Sequence, residues 1–409
     1  MKLARHFGAL LLCATASAQN VLILVADDLG VDGVRAYGEY LDEPRTPNLD
    51  ALAASGVLFR NAWSYPSCSA SRAAMLTGRH GFRTGIGFAL PQGAPGLSLA
   101  EDTLPELMPG YASGLFGKWH LGGPGLPELT PNAAGWGYFA GMLWAGVPSY
   151  YAWTMVKNGA SIPVATYSTT AITNQAAYWI TQVAREPWVC QVAYNAPHRP
   201  WEYPPANLHS YPGGGGPLVQ HFAMLEAMDA EIGRLLSYVD LCRTTVIFCG
   251  DNGTHGTVYQ GPSPGAKLSP YEGGLNVPLI LAGAGVVGPR EELALVHLVD
   301  VFATTLDVAG VAVPAGSDSV SLLPYAGGPS VPLRSTVFTE SFGAPSALWN
   351  FEAIRDARYK LVNYGLVEEL YDLAVDPNET SNLMLGLLTP GQLIALEALR
   401  SEILAIKGG

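Results

Sequence analysis

Short apolar runs, unbroken rather than alternating, recur along the chain from Asn20 to Ala282. Such runs predict strands buried on both faces, as in a parallel sheet covered by helices. They are Asn20–Ala26, a weaker one at Tyr111–Phe116, Trp188–Tyr194, Thr244–Cys249 and Val277–Ala282, while Val57–Ala62 leads into the loop that carries Cys68. Between them, Thr46–Gly56 reads as a short helix stopped by glycine. Leu218–Val239 reads as a long amphipathic helix whose Met and Leu stripe faces a core. The fold class predicted is α/β, a large, mostly parallel sheet sandwiched by helices.

Polar residues follow four of these strands. Asp27 and Asp28 follow Asn20–Ala26, and His120 follows Gly117-Lys118-Trp119 after Tyr111–Phe116. His198 follows Asn195-Ala196-Pro197, and Asp251 with Asn252 follows Thr244–Cys249 and Gly250. Ligands of open α/β sheets bind outside the carboxyl ends of the strands. These six side chains are therefore expected on one edge of one sheet.

Beyond about Val331 the pattern alternates. Ser335–Glu340, Phe351–Asp356, Tyr359–Tyr364 and Glu368–Leu373 predict a small antiparallel sheet, closed by a helix at about Pro390–Ile406. The division expected is a signal peptide over residues 1–18, a large α/β domain over 19–330 and a small C-terminal α+β subdomain over 331–409. The signal reading rests on Lys2 and Arg5, the apolar run Phe7–Cys13, and Ala16-Ser17-Ala18 before Gln19. It implies an exported protein, secreted or periplasmic, or lysosomal or in the endoplasmic reticulum of a eukaryote. No later segment has the roughly 18 uninterrupted apolar residues of a membrane span.

The 409 residues are 49% hydrophobic and only 14% charged, enough for a sizeable core, and 47 Gly and 31 Pro point to many tight loops. Losing the signal would remove two basic residues and no acidic ones, moving the formal net charge from -12 to -14. An acidic surface argues against a nucleic-acid partner while leaving room for one basic pocket that holds an anion. Of five cysteines, Cys13 would leave with the signal. The spacing suits no zinc site and makes a poor disulfide framework. Cys190, Cys242 and Cys249 read as structural thiols with one optional pair among them.

Cys68 differs. Ser67-Cys68-Ser69-Ala70-Ser71-Arg72 precedes an apolar helical pattern from about Ala73, which puts Cys68 just before or on the first turn of a helix. Unpaired backbone N–H groups there favour a thiolate or a bound oxyanion. Arg72 lies one turn on, on the same face. Alone, this spacing describes a buried cysteine beside a helix start. Its company changes that reading. Asp27, Asp28, Asp251 and Asn252 offer three carboxylates and an amide oxygen, hard ligands suited to Ca²⁺ or Mg²⁺. Any one Asp after a strand more often turns the chain, but three crowded together without a cation would repel. His120 and His198 are candidate proton-transfer groups, and Lys118, Lys267 and Arg72 could hold an anionic substrate. Most of the remaining histidines, and the aromatics Trp136, Tyr138, Trp144, Tyr150, Tyr151 and Trp153, are assigned to surface or packing. Asn378-Glu379-Thr380 fits the N-glycosylation pattern, as does Asn252-Gly253-Thr254 unless Asn252 binds metal.

Taken together, these segments resemble the type I, formylglycine-dependent sulfatases of the alkaline-phosphatase-like superfamily. The likeness covers nearly the whole mature chain. It runs through Val25–Gly30, Thr46–Asp50, Cys68–Arg72 with Leu76–Arg79, and Gly117–Leu121. It continues through Ala196–His198, Gly250–Gly253, Lys267 with Glu272–Gly274, and Leu370–Leu373 with Asp376–Glu379. The resemblance implies that a maturation enzyme oxidises Cys68 to formylglycine and that one oxygen of the hydrated aldehyde attacks the sulfur of a sulfate ester. The alcohol leaves, and the second hydroxyl then expels sulfate from the covalent hemiacetal. By the same resemblance Asp27, Asp28, Asp251 and Asn252 bind a divalent cation, Ca²⁺ before Mg²⁺. Arg72 and Lys118 orient the formylglycine, and His120 assists its regeneration as a base. His198 and Lys267 contact the sulfate and protonate the leaving oxygen. The expected substrate is a sulfated small molecule or glycan.

Two positions depart from the family pattern: Ala70 stands where proline is commonest, and Asn276 where arginine is frequent. A phosphonate or phosphate ester hydrolase of the same superfamily is the first alternative, and a non-catalytic protein that binds sulfated glycans is the second.

Overall fold

The computed structural model describes residues 20–39, 44–123 and 125–408, so the expected signal segment lies outside it. One sheet contains β1 (Asn20–Ala26), β2 (Val57–Trp63), β3 (Ala112–Lys118), β4 (Tyr138–Met142) and β5 (Trp153–Lys157). It continues with β6 (Ala160–Val164), β7 (Trp188–Ala193), β8 (Thr244–Gly250), β9 (Leu279–Gly283) and β10 (Arg290–His297). Their order is β10-β2-β9-β8-β1-β7-β3-β4-β5-β6. The central run β8-β1-β7-β3-β4 is parallel, as is β10 with β2. Only β9 and β5 run against their neighbours.

The centre of the sheet explains its stability. Every residue of β1 is buried, and successive side chains point to opposite faces. Val21, Ile23 and Val25 enter one core with Met75 and Leu76 of the helix Cys68–Thr77 and Phe302 of the helix Asp300–Val308. Leu22, Leu24 and Ala26 enter the other, with Leu49 of the helix Pro47–Ser55, Ile172 of the helix Ser168–Val183 and Met228 of the helix Pro217–Leu236. Each fully buried Val or Leu contributes roughly 1.5–3 kcal/mol, so a polar substitution in β1 would damage two cores at once.

The structure adds strands that the apolar pattern did not predict. β6 is exposed along most of its length, contains Pro163 and lies at a sheet edge, where a missing N–H is tolerated. β10 opens on Arg290-Glu291-Glu292 at the other edge. β9 starts at Leu279, two residues later than expected, because Pro278 has no N–H for a ladder. β3 runs on to Lys118, making that lysine the last residue of a strand rather than part of a loop.

β11 (Val337–Ser341), β12 (Phe351–Arg355), β13 (Tyr359–Asn363) and β14 (Glu368–Asp372) form the small antiparallel sheet, paired in sequence order. One face packs Phe338, Ile354, Leu361 and Leu370 on Leu396, Leu399 and Ile403 of the helix Pro390–Gly408. The other sets Val337, Phe351 and Val362 against Trp63, Leu275 and Leu295 of the large unit. Buried charges reinforce this seam. Lys360 Nζ lies 2.6 Å from Glu379 and 3.1 Å from Glu272, and 4.8 Å above the Trp63 ring. Arg355 reaches Glu272 at 3.3 Å.

Cys190 and Cys249 are free, buried thiols, so the optional bridge among Cys190, Cys242 and Cys249 joins neither. They lie in β7 and β8 with β1 between them, two strand spacings apart and beyond disulfide reach. Among the described residues no helix is long and apolar enough to cross a membrane.

Lys360→Ala would leave Glu379 without its cation and Glu272 with Arg355 alone. It should cost about 3–5 kcal/mol in chemical denaturation; an unchanged midpoint would show that the seam does not depend on this network.

Candidate active site

The site lies at the carboxyl ends of the central parallel strands. Past the end of β1, Asp27 N–H donates to Ala196 O beyond β7, and Asp251 N–H beyond β8 donates to Ala26 O, at 3.1 and 2.9 Å. Asp28 N–H donates to Asp251 Oδ1 at 3.1 Å. Three carboxylates are thereby buried side by side, and three cations meet them. Lys118 Nζ is 2.6 Å from Asp27 Oδ2. Arg72 donates through Nε and Nη2 to Asp251 Oδ2 at 3.0 and 2.7 Å, while its Nη1 donates to Lys118 O at 3.0 Å. Lys267 Nζ donates to Asp28 Oδ1, which also accepts from Asn252 Nδ2 at 2.9 Å.

The carboxylates are not equivalent. Burial, with Asp251 and Asp28 nearby, holds the Asp27 carboxyl well above its usual range despite Lys118. Burial also works against ionisation of Asp28, but Lys267 and His198 outweigh it and its pKa falls. Burial opposes the charge of Lys267 as well, and Asp28 more than compensates, raising its pKa.

Three buried oxygens here have no hydrogen-bond partner: Asp27 Oδ1, Asp28 Oδ2 and Asn252 Oδ1. Leaving such acceptors unpaired in a dry site is costly. Ligand atoms of Asp27, Asp28 and His198 lie within 4.8 Å of one another, as do those of Asp27, Cys68 and Asp251. Hard oxygen donors without partners, two of them from carboxylates, fit Ca²⁺ or Mg²⁺. Asp27, Asp28, Asp251 and Asn252 are the residues that could hold it.

Cys68 is the first residue of the helix Cys68–Thr77, after an extended Ser67 whose side chain makes no cap. Its Sγ lies 3.1 Å from His120 Nδ1. His120 Nε2 lies 3.0 Å from Leu90 O, and a carbonyl can only accept, so Nε2 carries the proton. Nδ1 is then the acceptor facing residue 68. Burial, reinforced by Lys118 and Arg72, holds His120 well below its ordinary pKa and keeps it neutral. Two bonds frame this pair: Ser69 Oγ donates to His120 O at 2.8 Å and accepts from Leu90 N–H at 3.0 Å.

His198 stands further back, with Nε2 3.8 Å from Asp28 Oδ2. Its Nδ1–H donates to Arg199 O at 2.6 Å. Burial lowers its pKa to about 3 against the pull of Asp28, so this contact is no ion pair at neutral pH. The Tyr150 hydroxyl, 2.7 Å from both Asn195 O and His198 O, fixes the backbone that carries it.

All ten side chains singled out in the sequence meet here. Ser69, the Leu90 carbonyl and Tyr150 were not foreseen as parts of the site, because Leu90 acts through its main chain, and the Ser69 and Tyr150 hydroxyls bond only main-chain partners that no residue type marks. The neighbouring aromatics Trp136, Tyr150 and Trp153 are buried and pack. Asn252 is fully buried and closed to glycosylation in the folded chain. At the departure Asn276, Oδ1 accepts from Ala62 N–H and Nδ2 donates to Arg60 O, tying the residue to β2.

The chain is also similar to known proteins. The family description Sulfatase matches residues 19–311, and N-sulphoglucosamine sulphohydrolase, C-terminal, matches residues 267–389. Bovine (Bos taurus) arylsulfatase A is 31% identical over 441 residues, covering 91% of this chain and 84% of that protein. Canine (Canis lupus familiaris) N-acetylgalactosamine-6-sulfatase is also 31% identical, covering 75% of this chain and 65% of its own length. A crystal structure of Ps i-CgsB in complex with k-i-k-neocarrahexaose superposes with a TM-score of 0.81 at 24% identity, covering 90% of this chain and 88% of that one. At that identity the likeness speaks for the fold.

A cation that occupies the unpartnered oxygens would stabilise the folded chain by linkage. Above its dissociation constant, each tenfold rise in free Ca²⁺ should add about 1.4 kcal/mol to unfolding. Asn252→Ala should abolish that gain, and an undiminished gain in the variant would remove Asn252 from the ligand set.

Proposed function

The chain belongs to the sulfatase family and hydrolyses sulfate esters, and we propose that it does so through a formylglycine made from Cys68. The observation that carries this reading is the position of Cys68. It opens a helix, faces the unprotonated nitrogen of a neutral histidine, and stands beside buried carboxylates and cations. Formylglycine would supply a hydrated aldehyde as nucleophile in place of the thiol. A divalent cation held by Asp27, Asp28, Asp251 and Asn252 would supply positive charge for the sulfuryl oxygens.

The remaining work falls to side chains. Arg72 and Lys118 brace each other and two of the carboxylates, and so fix residue 68 relative to the cation site. His120 Nδ1 accepts a proton from a hydroxyl on residue 68 without moving, because its tautomer is set in advance. Lys267 holds a sulfuryl oxygen, and its ammonium protonates the departing alcohol oxygen. His198, neutral and with Nδ1–H engaged by Arg199 O, contacts the sulfate group beside Lys267. Preorganised donors in a buried site need no reorganisation as charge develops, which is the main source of rate in such chemistry.

The substrates proposed are aryl or carbohydrate sulfates, in keeping with the names of the relatives. We further propose export by residues 1–18, division into units at 19–330 and 331–409, and maturation by a formylglycine-generating enzyme that accepts Ala70.

The test is release of inorganic sulfate from an aryl sulfate and a sulfated monosaccharide, with a phosphate monoester beside them. Sulfate esters should be the better substrates, and Cys68→Ala should lower turnover at least about a thousandfold with the fold intact. Full activity of Cys68→Ala would contradict the mechanism, and a preference for the phosphate ester would make the chain a phosphate ester hydrolase.

A further inference from the structure

We propose that Ser69 is a positioning residue, holding the His120 imidazole in the one tautomer and orientation that present Nδ1 to residue 68. The inference rests on the function proposed above and adds to it a residue with no contact to substrate.

Four bonds close a ring. Cys68 Sγ faces His120 Nδ1 at 3.1 Å, and His120 Nε2–H donates to Leu90 O at 3.0 Å. Leu90 N–H donates to Ser69 Oγ at 3.0 Å, and Ser69 Oγ–H donates to His120 O at 2.8 Å. Cys68 and Ser69 are adjacent, so the nucleophile position and its acceptor are referenced to one helix turn. The Ser69 hydroxyl has a single proton, spent on His120, and a lone pair, spent on Leu90. It thus grips the ends of both residues whose side chain or carbonyl forms the other half of the ring.

The restraint matters because His120 holds φ at 54°, a left-handed conformation that a residue with a Cβ adopts at a cost and keeps only when its surroundings enforce it. Ser69 is fully buried, so no water replaces a lost hydroxyl without a cavity to enter. The segment that bears Leu90 is pinned from its other side by the C-terminal unit. A Cβ on Gly87 would meet the Phe342 ring at 2.2 Å, and Phe88 stacks on Trp349 with centroids 6.0 Å apart and planes 12° apart. The small subdomain therefore backs the carbonyl that sets the tautomer of His120.

The experiment has two readouts on full-length protein. In Ser69→Ala, kcat for an aryl sulfate, normalised to formylglycine content by mass spectrometry, should fall on the order of 10- to 100-fold with KM within about twofold. In the same variant carrying the unconverted thiol, the slowly exchanging His120 Nε2–H signal in ¹⁵N-edited NMR should disappear or broaden. Gly87→Ala, outside the cysteine motif, should produce the same pair of effects by displacing Leu90. A normalised kcat of Ser69→Ala within twofold of the wild type would overturn the proposal. So would a loss of kcat with the Nε2–H signal unchanged. A formylglycine-bearing wild type inert to every sulfate ester would instead defeat the functional reading, and the NMR comparison would still decide the role of Ser69.

Discussion

Three carboxylates buried side by side impose the demand that the rest of this structure meets. Asp27, Asp28 and Asp251 stand at the ends of two adjacent parallel strands, without solvent to dilute their repulsion. The chain answers with Arg72, Lys118 and Lys267, drawn from a helix, a strand end and a loop. The match is incomplete by design of the donor set. Three oxygens keep open valences, and burial with the neighbouring acids raises the Asp27 pKa despite Lys118. A site built this way is poised for one more positive charge.

That demand also explains the architecture around it. Parallel strands deliver their carboxyl ends to one edge, and β1, buried on both faces and paired on both sides, mounts the adjacent acids. The helix Cys68–Thr77 brings residue 68 and Arg72 to the same edge one turn apart. Behind them the small antiparallel sheet is joined to the large unit by an apolar seam and by the buried Lys360 network, and its loop backs the segment that ends at Leu90. Rigidity therefore reaches the reacting position from both units.

Much of this was legible in the residues. β1, β7 and β8 are largely apolar and fully buried, and the acids and histidines after them fall where a parallel sheet gathers ligands. The small C-terminal sheet announced itself through period-two alternation. β10 and β6 did not, because edge strands need no buried face, and their Arg-Glu-Glu start and exposed polar residues resemble loops. Tyr150 and the Ser69–Leu90–His120 ring were hidden for another reason. The Tyr150, Ser69 and His120 side chains bond to main-chain carbonyls and N–H groups, which every residue possesses, so no residue type marks the partners. The neutral state of His198 was equally invisible, since it follows from burial and from the nearby charges of Lys118 and Lys267 rather than from sequence neighbours.

The central claim is that residue 68 works as formylglycine. Its most direct test is the mass of the tryptic peptide Asn61–Arg72 from protein made in its own host. The account predicts a peptide in which the cysteine thiol has been replaced by an aldehyde or its hydrate. A peptide that retains an unmodified thiol in protein fully active on sulfate esters would contradict it.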